Sequence, residues 1–367
     1  MFVPSAKSNL SLFILLVVSI ALFIWVDSSR EFRKQKNYDQ KIKAAQLMQT
    51  AEETIKEYQV SRGFFIDLVN DPNQTTLIGE KNTIITTDRG NLNAKLTSLN
   101  PNMAAVAIDY LKKAKLKKGD DILISCTASY PAVNLAVLSA AQTLGLKVTM
   151  ISSIGASMFG MTNPEFTWLD LETLLLEKKV FSFKSVAASI GGGRDLGRGL
   201  NKNGREIIMQ AVERNGIELV HENSLEENIL KKMEIFEENS KNPKLYVNIG
   251  GGLSSLGNSI NGKLIKLGLN KFISIKNTPL KGTMFLFADK KIPILHLMKI
   301  NEIAEIYDLP IAPVPLPEIG SGKVFLKEHY NITVTVIAMI ILSILILLVM
   351  FFDHHQMKLR DDEVYKD

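Results

Sequence analysis

Two glycine triplets constrain this chain more than any other feature: Gly191-Gly192-Gly193 and Gly250-Gly251-Gly252, each placed directly after a short β-type run. The first follows Ser185-Val186-Ala187-Ala188-Ser189-Ile190 and continues GGGRDLGRG; the second follows Leu245-Tyr246-Val247-Asn248-Ile249 and continues GGGLSSLGN. Three consecutive glycines inside a helix or strand would cost roughly 1 kcal/mol each relative to alanine. Their expected place is therefore a turn that needs positive φ or close backbone approach. A turn between strand and helix aims backbone N–H groups outward, toward a phosphate or a carboxylate. Arg194, Arg198, Lys202 and Arg205 crowd behind the first triplet. The alternative is a pair of tight turns with no ligand.

Around the triplets, strand and helix patterns alternate. Ile122–Ser125 reads as a buried strand, Cys126–Tyr130 as a small polar loop, and Pro131 opens a helix over Ala132–Leu144 that Gly145 closes. Lys147–Ser152 is the next strand, followed by a loop from Ser153 through Ser157 to Thr167. Helices are expected over Trp168–Lys178, Gly204–Asn215 and Leu225–Glu238, with a strand at Ile217–His221. Alternation continues from Ile273 through Met284–Phe287 to a helix near Ile300–Tyr307. The expected fold class is α/β, a mostly parallel, doubly wound sheet with glycine-rich strand-to-helix loops. In such a sheet the ligand lies beyond the carboxyl ends of the strands. That places the candidate anion-binding residues in four loops: Ser125, Thr127 and Ser129; Ser157; Gly191, Gly192, Gly193, Arg194 and Arg198; and Gly250, Gly251, Gly252 and Ser254.

The ends of the chain carry a different signal. Leu10–Val26 is a run of 17 uncharged residues and Ile332–Phe352 a run of 21, each suited to crossing a bilayer as a helix. Two spans put both termini on one side of a cell membrane. Arg30, Arg33, Lys34 and Lys36 outweigh Lys7 across the first span, yet Lys358, Arg360 and Lys366 follow the second, so the side that holds the middle stays open. The expected organisation is a tail over 1–9, a span over 10–26, and a helical stalk or packing helix with a mixed segment over 27–100. An α/β domain over 101–309, a stiff proline-rich linker over 310–331, a span over 332–352 and a charged tail over 353–367 follow.

Other chemistries find little support. A net charge of +5 on 367 residues and no aromatic-rich basic module argue against nucleic acid. Cys126 is the single cysteine and the five histidines lack ligand spacing, so no metal site is expected. Leu196 stands where a dinucleotide fingerprint needs its third glycine, and Leu264 ends the phosphate-loop-like GNSINGKL where a hydroxyl should hold magnesium; no cofactor is expected. A serine nucleophile would need a histidine or lysine base nearby, and no GxSxG elbow is present. Glu165, Asp170 and Glu172 could form a carboxylate group for acid and base chemistry; the competing reading makes Thr167 and Asp170 a capping pair.

Several stretches taken together carry a family likeness: Asn100–Val106, SYPAVNLAVLSAA from Ser129, ISSIGAS from Ile151, NPEFTWLDLE from Asn163, SVAASIGGGRDLGRGL from Ser185 and VNIGGGLSSLG from Val247. Over about residues 40–330 the chain resembles the poly-gamma-glutamate system protein family. The resemblance implies a bacterial membrane protein that works beside the membrane-embedded subunits making and exporting that anionic polymer. It implies a pathway and no particular reaction. Two functions are expected on this basis: an accessory subunit whose glycine loops hold polymer carboxylates or a small anion, or an enzyme acting on a sugar phosphate or γ-glutamyl amide in the same cleft.

Overall fold

The computed structural model describes residues 8–273 and 278–364, with side chains to His354. It divides into two compact units, one made of the two ends of the chain and one spanning Gln35–Phe325. The tail residue Lys7 and the tail side chains of Lys358, Arg360 and Lys366 lie outside the described residues, as does part of the alternation read after Ile273.

Helix α1 (Asn9–Ser28) and strand β1 (Glu31–Lys34) belong to the first unit. The second unit opens with α2 (Tyr38–Ser61). Its Ala44, Ala45, Met48, Ala51 and Ile55 recur at helical spacing and are all buried, so the helix packs along one stripe. Next come β2 (Thr86–Asp88), α3 (Leu92–Ser98), α4 (Met103–Lys113), β3 (Asp121–Thr127), α5 (Pro131–Leu144) and β4 (Lys147–Ser157). The chain continues through α6 (Trp168–Glu177), β5 (Ala187–Gly191), α7 (Lys202–Arg214), β6 (Glu218–Val220), α8 (Leu225–Asn239) and β7 (Leu245–Ile249). The remaining elements of this unit are α9 (Leu253–Leu256), α10 (Asn261–Leu264), β8 (Gly268–Asn270), α11 (Thr283–Asp289), β9 (Ile294–Leu297) and α12 (Ile300–Ile306).

The central sheet has the order β6-β5-β4-β3-β7-β9-β8, with β2 beside the far end of β4. Every pairing is parallel except that of β8 with β9. Its middle strands are buried on both faces, which explains their unbroken apolar runs. Leu123, Tyr246 and Ile294 point into one core with Phe236 of α8 and Phe287 of α11. The Phe287 and Tyr246 rings stack at 5.3 Å, and Phe236 meets both edge-on at 5.8 Å. The neighbouring Ile122, Ile124, Val247 and Leu295 alternate with these and are equally buried.

Four sequence expectations change. Of the two readings of the α2 segment, stalk or packing helix, the second holds, because it packs on α4 and α5. The compact unit thus begins at Gln35 and not at 101. Strand β3 reaches Thr127, and β4 runs five residues past Ser152, so the expected loop Ser153–Ser157 is strand. Small side chains at Gly155 and Ala156 admit close neighbours there, with Gly155 opposite Gly191 and Ala156 opposite Thr86. Met284–Phe287 lies in α11, and the strand of that region is β9.

The proline-rich segment is held to the second unit as far as Phe325 rather than hanging free as a spacer. Asn73 donates to the Pro313 carbonyl at 2.8 Å, Ala312 N–H to Thr97 Oγ1 at 2.9 Å, and Asn102 to the Glu318 carbonyl at 3.0 Å. The first unit is completed by β10 (Leu326–His329) and α13 (Ile332–Val364), whose helix continues through most of the expected charged tail. Strands β1 and β10 form an antiparallel ribbon with Glu31 opposite His329. Helices α1 and α13 pack together and are long and apolar enough to cross a membrane.

Candidate functional site

The strand order reverses at one point. From β3 the chain steps outward through β4, β5 and β6, and then β7 pairs on the opposite side of β3. In an open parallel sheet, the loops that follow the two strands flanking such a reversal part and leave a crevice at their carboxyl ends. Here those loops are Ala128–Tyr130 and the second glycine triplet. They meet directly: a Cβ on Gly250 would lie 2.9 Å from Thr127 Cγ2 and 3.5 Å from the Tyr130 ring. Gly250 has φ +75°, as expected for a residue chosen for that turn. Ser125 and Thr127 are strand residues, with Ser125 opposite Asn248 and Ile151, while Ser129 sits in the turn itself. Gly251 and Gly252 have nothing within 4 Å of an added Cβ.

Lys95 of α3 reaches into this corner, although the sequence reading did not single it out. Its Nζ donates to the Ser129 carbonyl at 2.7 Å and the Ser157 carbonyl at 3.2 Å, and lies 3.0 Å from Ser157 Oγ. The same Nζ stands 5.3 Å from the centre of the Tyr130 ring. Ser157 N–H donates to Ser129 Oγ at 2.9 Å, which ties the ends of β3 and β4 together. Lys95 is only 2% exposed, and burial without a compensating carboxylate pulls its pKa down to about 7. A signal was present in the sequence: Lys95 is the single charge between Asn91 and Ile108.

The first triplet is built differently. Gly191 ends β5, and the following residues fold back on themselves through bridges from Gly191 to Leu196 and from Gly193 to Arg198. Gly191 and Gly192 take φ +80° and +68°, and Arg194 and Asp195 are left-handed too, at +58° and +60°. Such strain, about 1–2 kcal/mol per non-glycine residue, persists only where other contacts hold the loop. Asp195 supplies them. Its carboxylate accepts from Ser153 Oγ at 3.1 Å, Ser189 Oγ at 2.8 Å and Lys232 Nζ at 2.7 Å. Lys232 also donates to Ser189 Oγ at 2.8 Å and to Ser254 Oγ of the second glycine loop at 2.7 Å. A buried ion pair therefore links the two loops, and of the expected site residues Ser254 is one of its ligands. Arg194 and Arg198 point outward, exposed, with no ion pair among the described residues.

The three carboxylates weighed together in the sequence have separate fates. Glu165 is exposed. Asp170 accepts from the Thr167 N–H and hydroxyl, both at 2.7 Å, and also binds Arg214 and Asn215. Glu172 is buried against β4 and the segment leading into β5, accepting from Ser152 and Ser185. Burial pushes its pKa up to about 7. The folded protein thus keeps this proton well above the pH at which the unfolded chain releases it. The contribution of Glu172 to stability is full below about pH 4.5 and is lost as pH rises toward 7, about 3 kcal/mol in total. Urea denaturation across this range is expected to show the decline, and Glu172→Gln to flatten it; an unchanged slope in the variant would assign the effect elsewhere.

Two cavities of the second unit lie apart from the glycine loops. One, of about 290 Å³, is bordered by Gln59, Phe64, Thr76, Glu80, Met161 and Thr162. The other, of about 350 Å³, is bordered by Gln49, Glu52, Lys56, Thr75, Leu316 and Glu318. Glu52 Oε1 is buried there without a hydrogen-bond partner, and burial followed by the charges of Glu53 and Asp71 lifts its pKa well above the usual carboxylate range.

Compared with protein-family models, with curated proteins and with solved structures, the chain finds no match in any of the three.

Proposed function

We propose that this chain is a two-span membrane protein serving poly-gamma-glutamate synthesis or export as an accessory subunit beside the membrane-embedded synthesis subunits. Its glycine loops, at the strand ends of a doubly wound sheet, hold carboxylates of the anionic polymer or a phosphate. The observation that carries the reading is the pair Arg194 and Arg198. Both are exposed and have no ion pair among the described residues, on a loop that the Asp195–Lys232 pair fixes from behind. Cations held on a rigid loop and left without a protein counter-ion are suited to an incoming anion. Two apolar end helices and the ribbon that joins their adjoining strands support the membrane part, with both short tails on one face.

The test is titration of the detergent-solubilised full-length chain with glutamate oligomers and with a sugar phosphate at two salt concentrations. Arg194→Ala and Arg198→Ala are each expected to weaken binding by about 1.5–3 kcal/mol, the range for a lost charge-assisted hydrogen bond. Binding also weakens as salt rises. Parental binding by both variants, or no binding of either anion, would reduce these loops to structural turns.

A further inference from the structure

The accounting around Lys95 has a chemical solution that the anion-holding reading does not use. An uncharged lysine amine has two N–H donors and one lone pair. Two backbone carbonyls, of Ser129 and Ser157, face Nζ at 2.7 and 3.2 Å, and one hydroxyl, Ser157 Oγ, faces it at 3.0 Å. Among the described residues no carboxylate lies within ion-pair distance. As an ammonium Lys95 donates to all three oxygens; once it is uncharged, the two carbonyls take the two N–H groups and the lone pair faces the Ser157 hydroxyl. Ser157 ends β4, is partly exposed, and has its backbone N–H fixed on Ser129 Oγ at 2.9 Å. Tyr130 and Ser129, also partly exposed, stand beside it at the reversal of the strand order.

We propose that Ser157 is a nucleophile and Lys95 its general base in acyl transfer from a carboxamide or ester. A hydroxyl within hydrogen-bond reach of a base, with the base itself oriented by other groups, is the arrangement such chemistry requires. Ser157 Oγ bonds to the carbonyl carbon while its proton passes to Lys95 Nζ. The carbon–nitrogen or carbon–oxygen bond then breaks, and the lysine ammonium returns the proton to the departing amine or alcohol. This leaves an ester on Ser157. Water, giving a proton to Lys95, attacks the ester; the bond between the carbonyl carbon and Ser157 Oγ breaks, and the lysine ammonium returns the proton to Oγ, which releases the acid and restores the free serine. Nothing besides water is consumed. The inference stands independently of the accessory reading, since binding of polymer by Arg194 and Arg198 neither requires nor excludes it.

The probe is a fluorophosphonate, which labels serines activated by a neighbouring base, applied to the detergent-solubilised full-length chain and read by peptide mass. Label is expected on Ser157, absent in Ser157→Ala, and formed at least about 100-fold more slowly in Lys95→Met, the lower end of what a general base contributes. Circular dichroism checks that each variant is folded. Should Lys95→Met fail to fold, the parent decides: its labelling rate is expected to drop as pH falls through the titration of the amine. No label on Ser157, undiminished labelling of a folded Lys95 variant, or a parental rate indifferent to pH would each overturn the proposal.

Discussion

Replacing Lys232 by methionine is expected to destabilise the second unit by about 3–5 kcal/mol, because it strands the Asp195 carboxylate in a site where both partners are almost wholly buried. The loss reaches both glycine loops at once, since Lys232 is the group that Asp195, Ser189 and Ser254 share. Asp195→Asn alone should be similarly costly by leaving the ammonium unpaired. The double variant should recover most of the stability, as a buried ion pair replaced whole is often near neutral. Urea denaturation of the four proteins, followed by circular dichroism, closes the cycle. A single variant that costs under about 1 kcal/mol would mean that this pair is not the buried clamp described.

Gly192→Val is expected to unfold the first loop outright, at about 2–5 kcal/mol. Two effects combine: a β-branched residue at φ +68°, and a Cβ only 2.9 Å from Thr87 Cγ2. Of the two demands the sequence suggests for the triplet, positive φ and close backbone approach, Gly192 meets both, and the close neighbour is the chain's own. The space beside Gly192 is taken by Thr87 of the chain itself. Gly251→Ala makes the contrast, since an added Cβ there meets nothing within 4 Å and the residue has no positive φ, so it should shift stability by no more than about 0.5 kcal/mol. Equal melting of the two variants would remove the distinction between the triplets.

The parallel strands and the two long apolar helices at the ends were legible because they are written in apolar runs with regular punctuation. Pro131 and Gly145 bracket α5 as expected, and Ser224 caps α8. The extension of β4 was hidden because Ser153 and Gly155 lack any strand signature. The Ser153 hydroxyl is satisfied by Ser189 and Asp195, partners that local sequence cannot supply. Lys95 and Lys232, both buried, escaped for the same reason. Lys232 lies in the apolar stripe of Ile229, Met233 and Phe236, a position that only its partner on a distant loop explains. The two triplets, alike as strings, differ in structure because one is followed by Arg-Asp, which folds the loop inward, and the other by a short helix.

The second unit starts and finishes at one place: the Gln35 N–H donates to the Phe325 carbonyl at 2.8 Å. Within the first unit, the segments that lead into and out of it are zipped as a ribbon and their helices are packed side by side. So long as that helix pair holds, unfolding the middle of the chain releases a closed loop and never a free polymer. Its disordered state is thereby deprived of chain entropy in the way a cross-link between the ends would deprive it, an effect that grows only as the logarithm of loop length. The packed pair of end helices is then a staple, and cutting the chain at either end of the ribbon would loosen the second unit without touching a single contact inside it.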